Sequence, residues 1–246
     1  MVIIVGCSAD SVGKKKDGGL RLCVDYRAFN LGTVQSRYPL PQISELLDRV
    51  CEALIFTKLD LWNAYHLIRI REDDEFKITF RTRYDQFEYQ VMTFALSNAP
   101  ATFQAYIDDC LRPYIDDFTV CYPDDILIYL TNEKEHEDYV RKVLQCLQEF
   151  GLYCKAEKCQ SGVQEVGFLR FVINSDGIGM ESDHISMIED WPTPELVWDV
   201  QVLLGFTNLY WRFIRKYAKV TAPISNLLKT QGSRKWEWTR DAKLAF

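Results

Sequence analysis

The chain has 246 residues, 48% of them hydrophobic, which is enough for one large domain or roughly two or three subdomains with a real core and excludes a disordered segment. Lys and Arg number 29 against 35 Asp and Glu, a net charge of −6, so any polyanion site has to be a local basic patch on an acidic background. No apolar run reaches the roughly 20 residues of a membrane span, and the eight cysteines and three histidines show neither a Cys-x-x-Cys pair nor a zinc constellation. Reduced core thiols in an intracellular protein without a membrane partner are expected.

Taken in chain order, residues 1–20 carry little pattern until Lys14-Lys-Lys-Asp-Gly-Gly19, a basic run closed by a turn. Leu20 to Arg27 then reads as a strand bearing Arg21 and Arg27. Cations beside a Lys-rich turn suit a phosphate-binding surface, and surface salt bridging suits them equally well. Pro39 and Pro41 precede Ile43, Leu46, Leu47 and Val50, whose spacing predicts a helix with one apolar face. Leu54 to Leu61 predicts a strand interrupted by Asp60 near its end, and Tyr65 to Ile70 predicts a second strand. Residues 76–92 read as a hairpin around Tyr84-Asp85-Gln86. Ser97 or Asn98 is expected to cap, and Pro100 to start, a helix whose Phe103, Tyr106, Ile107, Cys110 and Leu111 face a core.

Phe118 to Leu130 is apolar and β-prone except at its centre, where Asp124 and Asp125 sit side by side. Phe118 to Tyr122 and Ile126 to Leu130 read as two short buried strands joined by Pro123-Asp124-Asp125. Carboxylates in such a place need a partner, and a metal ion is the strongest one for a pair; an ordinary polar hairpin turn is the simpler alternative. Glu133 to Phe150 is an amphipathic helix ended by Gly151, followed by strands at 152–155 and 166–173 and a turn at Asn174-Ser-Asp-Gly177. Beyond Pro192 and Pro194 the pattern is helical through Val197, Val200, Leu203 and Leu204 to Trp211. The composition shift at 175–195 is the main expected boundary.

Asp60 and the Asp124-Asp125 pair are strand-end carboxylates that meet only if their hairpins lie side by side in one antiparallel sheet. A hard-oxygen site would result, and two Mg2+ ions held by carboxylates are the usual apparatus for in-line phosphoryl transfer. Phosphodiester formation and phosphodiester hydrolysis both fit.

The same residues carry a more specific resemblance. Leu20-Arg-Leu-Cys-Val-Asp-Tyr-Arg27, Arg37-Tyr-Pro-Leu-Pro41, Phe56-Thr-Lys-Leu-Asp60, Tyr65-His66, Ile68-Arg-Ile70, Phe80-Arg-Thr-Arg83, Asn98-Ala-Pro-Ala-Thr-Phe103, Asp124-Asp-Ile-Leu-Ile-Tyr129 and Trp191-Pro192 stand in one order. Together they resemble the reverse transcriptase of gypsy-type LTR retrotransposons over residues 14–246. The resemblance implies an α+β right-hand polymerase of fingers, palm and thumb, with an antiparallel palm sheet backed by helices and truncated fingers. It divides the chain into partial fingers at 1–35 and 68–97, palm at 36–67 and 98–176, and thumb-like helices at 177–220. Residues 221–246 would start a connection towards a missing ribonuclease H domain.

By the same matching, Asp60, Asp124 and Asp125 would be catalytic and would bind Mg2+, with Mn2+ as a substitute. Lys15 and Arg21 would hold the triphosphate of a dNTP, Tyr65 would stack under its sugar, and Phe94 with the 97–100 turn would border nucleotide and template. Leu169, Arg170 and Phe171 would position the primer terminus. Implied partners are an RNA or DNA template with its primer, dNTP, and protease, ribonuclease H and integrase as covalent neighbours in a Pol polyprotein. The setting would be cytoplasm, nucleus or retrotransposon particles.

Three departures stand against full activity, the first being the truncated fingers, since the residues before Lys14 do not resemble that part of the family. Pro123 is locked near φ −65°, which conflicts with a primed hairpin turn needing positive φ at its first central residue. Arg170 replaces the glycine expected at the primer-positioning turn. A non-enzymatic remnant that keeps the palm fold and at most binds nucleic acid is therefore the alternative expectation.

Overall fold

The computed structural model describes residues 7–14, 18, 20–229 and 238–246. They fall into two compact units, one made of 1–168 with 174–177 and the other of 169–173 with 178–246.

The first unit opens on a hairpin of β1 (Cys7–Lys14) and β2 (Leu20–Val24), antiparallel with an irregularity between Ala9 and Ser11. β1 was not legible in the sequence. β2 ends before the expected Arg27 because the Asp25 carboxylate accepts the Arg27 N–H at 2.9 Å and turns the chain into α1 (Arg27–Gly32). That pairing with Arg27 holds the Asp25 carboxyl down at about 2. α2 (Ile43–Val50) follows the two prolines as expected and buries Leu46, Leu47 and Val50.

β3 (Ile55–Asp60) carries the expected strand. The expected strand at 65–70 is absent: Asn63 enters the left-handed region at φ 51° and Ala64–Leu67 forms a 3-10 turn that buries Tyr65. Only a single bridge, Arg69 to Val91, remains of it. β4 (Phe80–Arg81) and β5 (Gln86–Phe87) form the expected hairpin as a short antiparallel pair, and β4 also pairs in parallel with β1. The sheet order is β2-β1-β4-β5. Val24, Tyr26, Ile78 and Phe80 form its buried cluster, and the Tyr26 hydroxyl donates to the Ile78 carbonyl at 2.7 Å.

α3 (Ala99–Leu111) begins as predicted with Pro100 in its first turn, but Asn98 does not cap it. β6 (Thr119–Tyr122), β7 (Asp125–Leu130) and β8 (Gln160–Val163) join β3 in a second antiparallel sheet of order β6-β7-β3-β8, with the helix α4 (Glu133–Glu149) following β7 in the chain. Ile126, Leu127 and Ile128 are fully buried, and alternation along β7 sends Leu127 to the opposite face from its two neighbours. Ile126 and Ile128 join Phe103, Ile107 and Leu111 of α3 and Val143 and Leu147 of α4 in one core. Each such side chain contributes roughly 1.5–3 kcal/mol of burial, so the strands that end in carboxylates are anchored in this core. The expected strand at 152–155 is only a bridge from Leu61 to Cys154. β8, polar and glycine-containing, was missed; its Gly162 N–H donates to the buried Thr57 hydroxyl at 3.0 Å. The expected continuous strand 166–173 is broken into β9 (Glu165–Phe168) and β10 (Phe171–Asn174) by Leu169 and Arg170 at φ 52° and 71°.

β10 pairs with β11 (Gly177–Met180) around the expected turn, whose residues 174–177 are grouped with the first unit; there Asn174 accepts the Asp176 N–H at 3.0 Å and Gly177 takes φ 127°. Helices α5 (Ser182–Glu189), α6 (Val197–Asn208), α7 (Tyr217–Asn226) and α8 (Arg240–Ala245) follow. α6 stops short of the expected Trp211. Phe171 packs against Tyr210 and Phe213 at centroid distances of 5.8 Å, and Trp191 against Phe206 at 5.1 Å. Among the described residues no helix is long and apolar enough to cross a membrane.

Candidate functional site

The antiparallel register between β3 and β7 sets Asp60 directly opposite Asp125. Directly paired residues share a face with Cβ atoms about 5 Å apart, so two carboxylates from distant parts of the chain are forced together. Across β6, Tyr122 pairs with Asp125, which makes Asp125 the first residue of β7 and leaves Pro123 and Asp124 as the two turn residues. Neither of them takes a positive φ. The conflict expected at Pro123 is absent, because a proline at the first central position is accommodated when the turn is not of a primed type.

Two lysines face these carboxylates. Lys158 Nζ donates to Asp60 Oδ2 at 3.2 Å, and Lys58 Nζ lies 3.4 Å from Asp125 Oδ1 while donating to the Gly167 carbonyl at 3.1 Å. Lys158 is 55% exposed, so its pairing is a weak, screened contact that another cation can displace. The Asp60 carbonyl accepts the Lys155 N–H at 2.9 Å, which hangs the 155–158 turn on the end of β3.

Asp60 and Asp124 open into a cavity of about 460 Å³ that is also bordered by His66, Phe94, Lys155 and Lys158, with β2 on one side. This lies within the size range of small-molecule sites. Phe94 is 42% exposed and packs on Tyr65 at 4.7 Å and edge-on to His66 at 5.4 Å. Tyr65 is only 7% exposed and sits behind Phe94, against Phe103 at 5.2 Å. Burial first, and then the charge of Asp124 and the nearby Tyr122, push its hydroxyl up to about 12.

The 97–98 turn is fixed by two asparagines rather than by capping. Asn30 Nδ2 donates to the Ala95 carbonyl at 2.8 Å and its Oδ1 accepts the Ser97 N–H at 3.0 Å. Asn98 accepts the Ser36 N–H and donates to the Val34 carbonyl, each at 2.9 Å.

Of the sequence-predicted residues, the structure brings together Asp60, Asp124, Asp125, Tyr65 and Phe94. Arg21 lies on β2 opposite Gly13. Lys15 lies outside the described residues. Leu169, Arg170 and Phe171 belong to the second unit. Lys58, His66, Lys155 and Lys158 were missed. Lys158 is 98 residues from Asp60 in sequence, and nothing in its local pattern separates it from a surface lysine.

Among the described residues no three His, Cys, Asp or Glu side chains converge closely enough to hold a metal ion. The donor chemistry nevertheless fits a hard divalent cation: three carboxylates stand at adjoining strand ends, and two of them already face a cation in Lys58 and Lys158.

The family model for Reverse transcriptase (RNA-dependent DNA polymerase) matches residues 13–173. The Transposon Tf2-3 polyprotein of Schizosaccharomyces pombe is 40% identical over 225 residues, which is 92% of this chain and 17% of that polyprotein. The Tf2-7 polyprotein of the same organism is 39% identical over the same shares. The chain thus spans about a sixth of the length of these curated relatives. The structure of the foamy viral protease-reverse transcriptase dRH in complex with double-stranded DNA superposes with a TM-score of 0.88 at 24% identity, covering 95% of this chain and 41% of that one. The likeness shows a shared fold.

Proposed function

Because the chain belongs to the reverse transcriptase (RNA-dependent DNA polymerase) family of gypsy-type retrotransposons, we propose that it transfers the α-phosphate of a dNTP to a primer 3′-OH. The observation that carries this reading is the forced pairing of Asp60 with Asp125, together with Asp60 and the adjacent Asp124 lining the 460 Å³ cavity. Asp60, Asp124 and Asp125 would hold Mg2+, or Mn2+ in its place. Two such ions, when bound, activate the attacking oxygen and stabilise the leaving pyrophosphate.

The chain's own residues do the rest. Phe94 offers an exposed face to the nucleotide, with Tyr65 fixed behind it by Phe103. Lys15 and Arg21 hold the triphosphate, and Leu169, Arg170 and Phe171 position the primer terminus. The asparagine clamp at 30 and 98 holds the 97–100 turn against nucleotide and template. In this reading 1–35 and 68–97 act as fingers, 36–67 and 98–176 as palm, 177–220 as thumb and 221–246 as the start of a connection. Template and primer, as RNA or DNA, are the partners, with protease, ribonuclease H and integrase as covalent neighbours inside the cell.

A catalytically weakened remnant is a second reading, favoured by Leu169 and Arg170 both lying at positive φ. RNA-templated primer extension tests the two. Incorporation that requires a divalent cation and dNTP supports the polymerase. Hybrid binding without incorporation under Mg2+ or Mn2+ supports the remnant.

A further inference from the structure

Of the two lysines that face the carboxylates, Lys58 is held and Lys158 is loose. Lys58 stands in the interior of a sheet, paired with Leu127 of β7 on one side and with Gln160 of β8 on the other. Alternation along β3 puts its side chain on the same face as Asp60, and the register of β3 with β7 puts Asp125 on that face too. The side chain is 21% exposed, against 55% for Lys158. Its Nζ donates to the Gly167 carbonyl of β9 at 3.1 Å and from there lies 3.4 Å from Asp125 Oδ1. A lysine stem is flexible and its ammonium has three donors, so a backbone carbonyl that occupies one of them fixes where the charge stands. The carboxylates at the adjoining strand ends repel one another, and a fixed cation beside Asp125 offsets that repulsion.

We propose that Lys58 is a positioning residue for nucleotide addition: anchored on Gly167, it holds the Asp125 carboxylate in one orientation against the repulsion of Asp60 and Asp124, and it keeps that place when a divalent cation displaces Lys158. The consequence for catalysis rests on the polymerase reading above. The same charge has an opposite effect on metal affinity. A fixed cation beside the carboxylates competes with the ion they would bind, so Lys58 weakens metal binding while it speeds the reaction. A lysine that only filled the space between β3 and β9 would do neither.

The test compares the whole chain as wild type, as Lys58→Met, which keeps the stem without the charge, and as Lys58→Arg, which keeps the charge. Mn2+ binding, read from the paramagnetic resonance signal of the free ion, is expected to be several-fold tighter in Lys58→Met and within about twofold of wild type in Lys58→Arg. Single-nucleotide incorporation on a primed RNA template is expected to fall on the order of tenfold in kcat in Lys58→Met, with the KM for dNTP within about twofold, and Lys58→Arg is expected to recover most of that loss. Mn2+ binding that is unchanged or weaker in Lys58→Met overturns the proposal. So does an unchanged kcat, a loss carried by KM alone, or a Lys58→Arg that behaves as Lys58→Met does. If circular dichroism shows Lys58→Met unfolded, Lys58→Gln is read in its place against the same outcomes. If the wild type incorporates no nucleotide, the polymerase reading has failed, and the Mn2+ comparison still decides whether Lys58 acts on the carboxylates.

Discussion

Two short connections in this chain carry a residue foreign to the family's pattern, and the backbone treats them differently. At Pro123-Asp124, between β6 and β7, neither central residue takes a positive φ, and the proline fits the angle it is locked to. At Leu169-Arg170, between β9 and β10, both residues lie at positive φ, 52° and 71°. A residue with a Cβ pays roughly 1–2 kcal/mol in that region, and glycine avoids the clash. An unusual residue matters only where the turn demands a conformation it resists, so the weak point moves from Pro123 to Arg170.

The contrast rests on how firmly each turn is supported. The Pro123 turn grows from strands buried in the core around Phe103 and Ile128. Phe103→Ala should cost roughly 3–5 kcal/mol in a urea titration and take extension activity down with the fold. A loss under ~1 kcal/mol would show that α3 does not brace that turn.

Arg170→Gly should raise stability by about 1 kcal/mol and speed primer extension, since it removes a left-handed side chain. Destabilisation instead would mean that Arg170 makes contacts outweighing its strain.

A smaller effect should come from beneath β3, where buried Thr57 and His136 Nε2 meet at 2.7 Å. Burial lowers the His136 pKa, so the folded protein holds this ring neutral. The unfolded chain binds a proton first as pH falls, and His136 therefore contributes stability above the ordinary histidine value near about 6.5 that is lost progressively below it. Urea midpoints at pH 7.5 and 5.5 should differ more in the wild type than in His136→Gln. An equal acid drop in both would remove His136 from this role.

Pro123→Val should be the mildest change, within about 0.5 kcal/mol and with little effect on extension. A large recovery of activity would return the defect to Pro123 and reverse the contrast between the turns.

Much of the site was legible because its chemistry is concentrated in residue types that are costly where they stand. Asp60, Asp124 and Asp125 interrupt apolar β-prone runs, and the register of β3 with β7 then brings them together. Lys58 and Lys158 were not legible, since their roles arise from contacts across the sheet and the 155–158 turn rather than from local pattern. The strand read into 65–70 failed at Asn63, whose left-handed conformation turns the chain and buries Tyr65 in the core. β1 and β8 lack apolar alternation and are strands only because a neighbour supplies the ladder.

The most direct measurement compares wild type and Asp124→Asn on one primer annealed to an RNA template, reading hybrid affinity and single-nucleotide incorporation against Mg2+ concentration. Affinity should be nearly equal and fall steeply with salt, because phosphate contacts dominate it, while incorporation should drop on the order of a hundredfold or more in the variant. Undiminished Mg2+-dependent incorporation by Asp124→Asn would contradict the assignment of this carboxylate to the reaction.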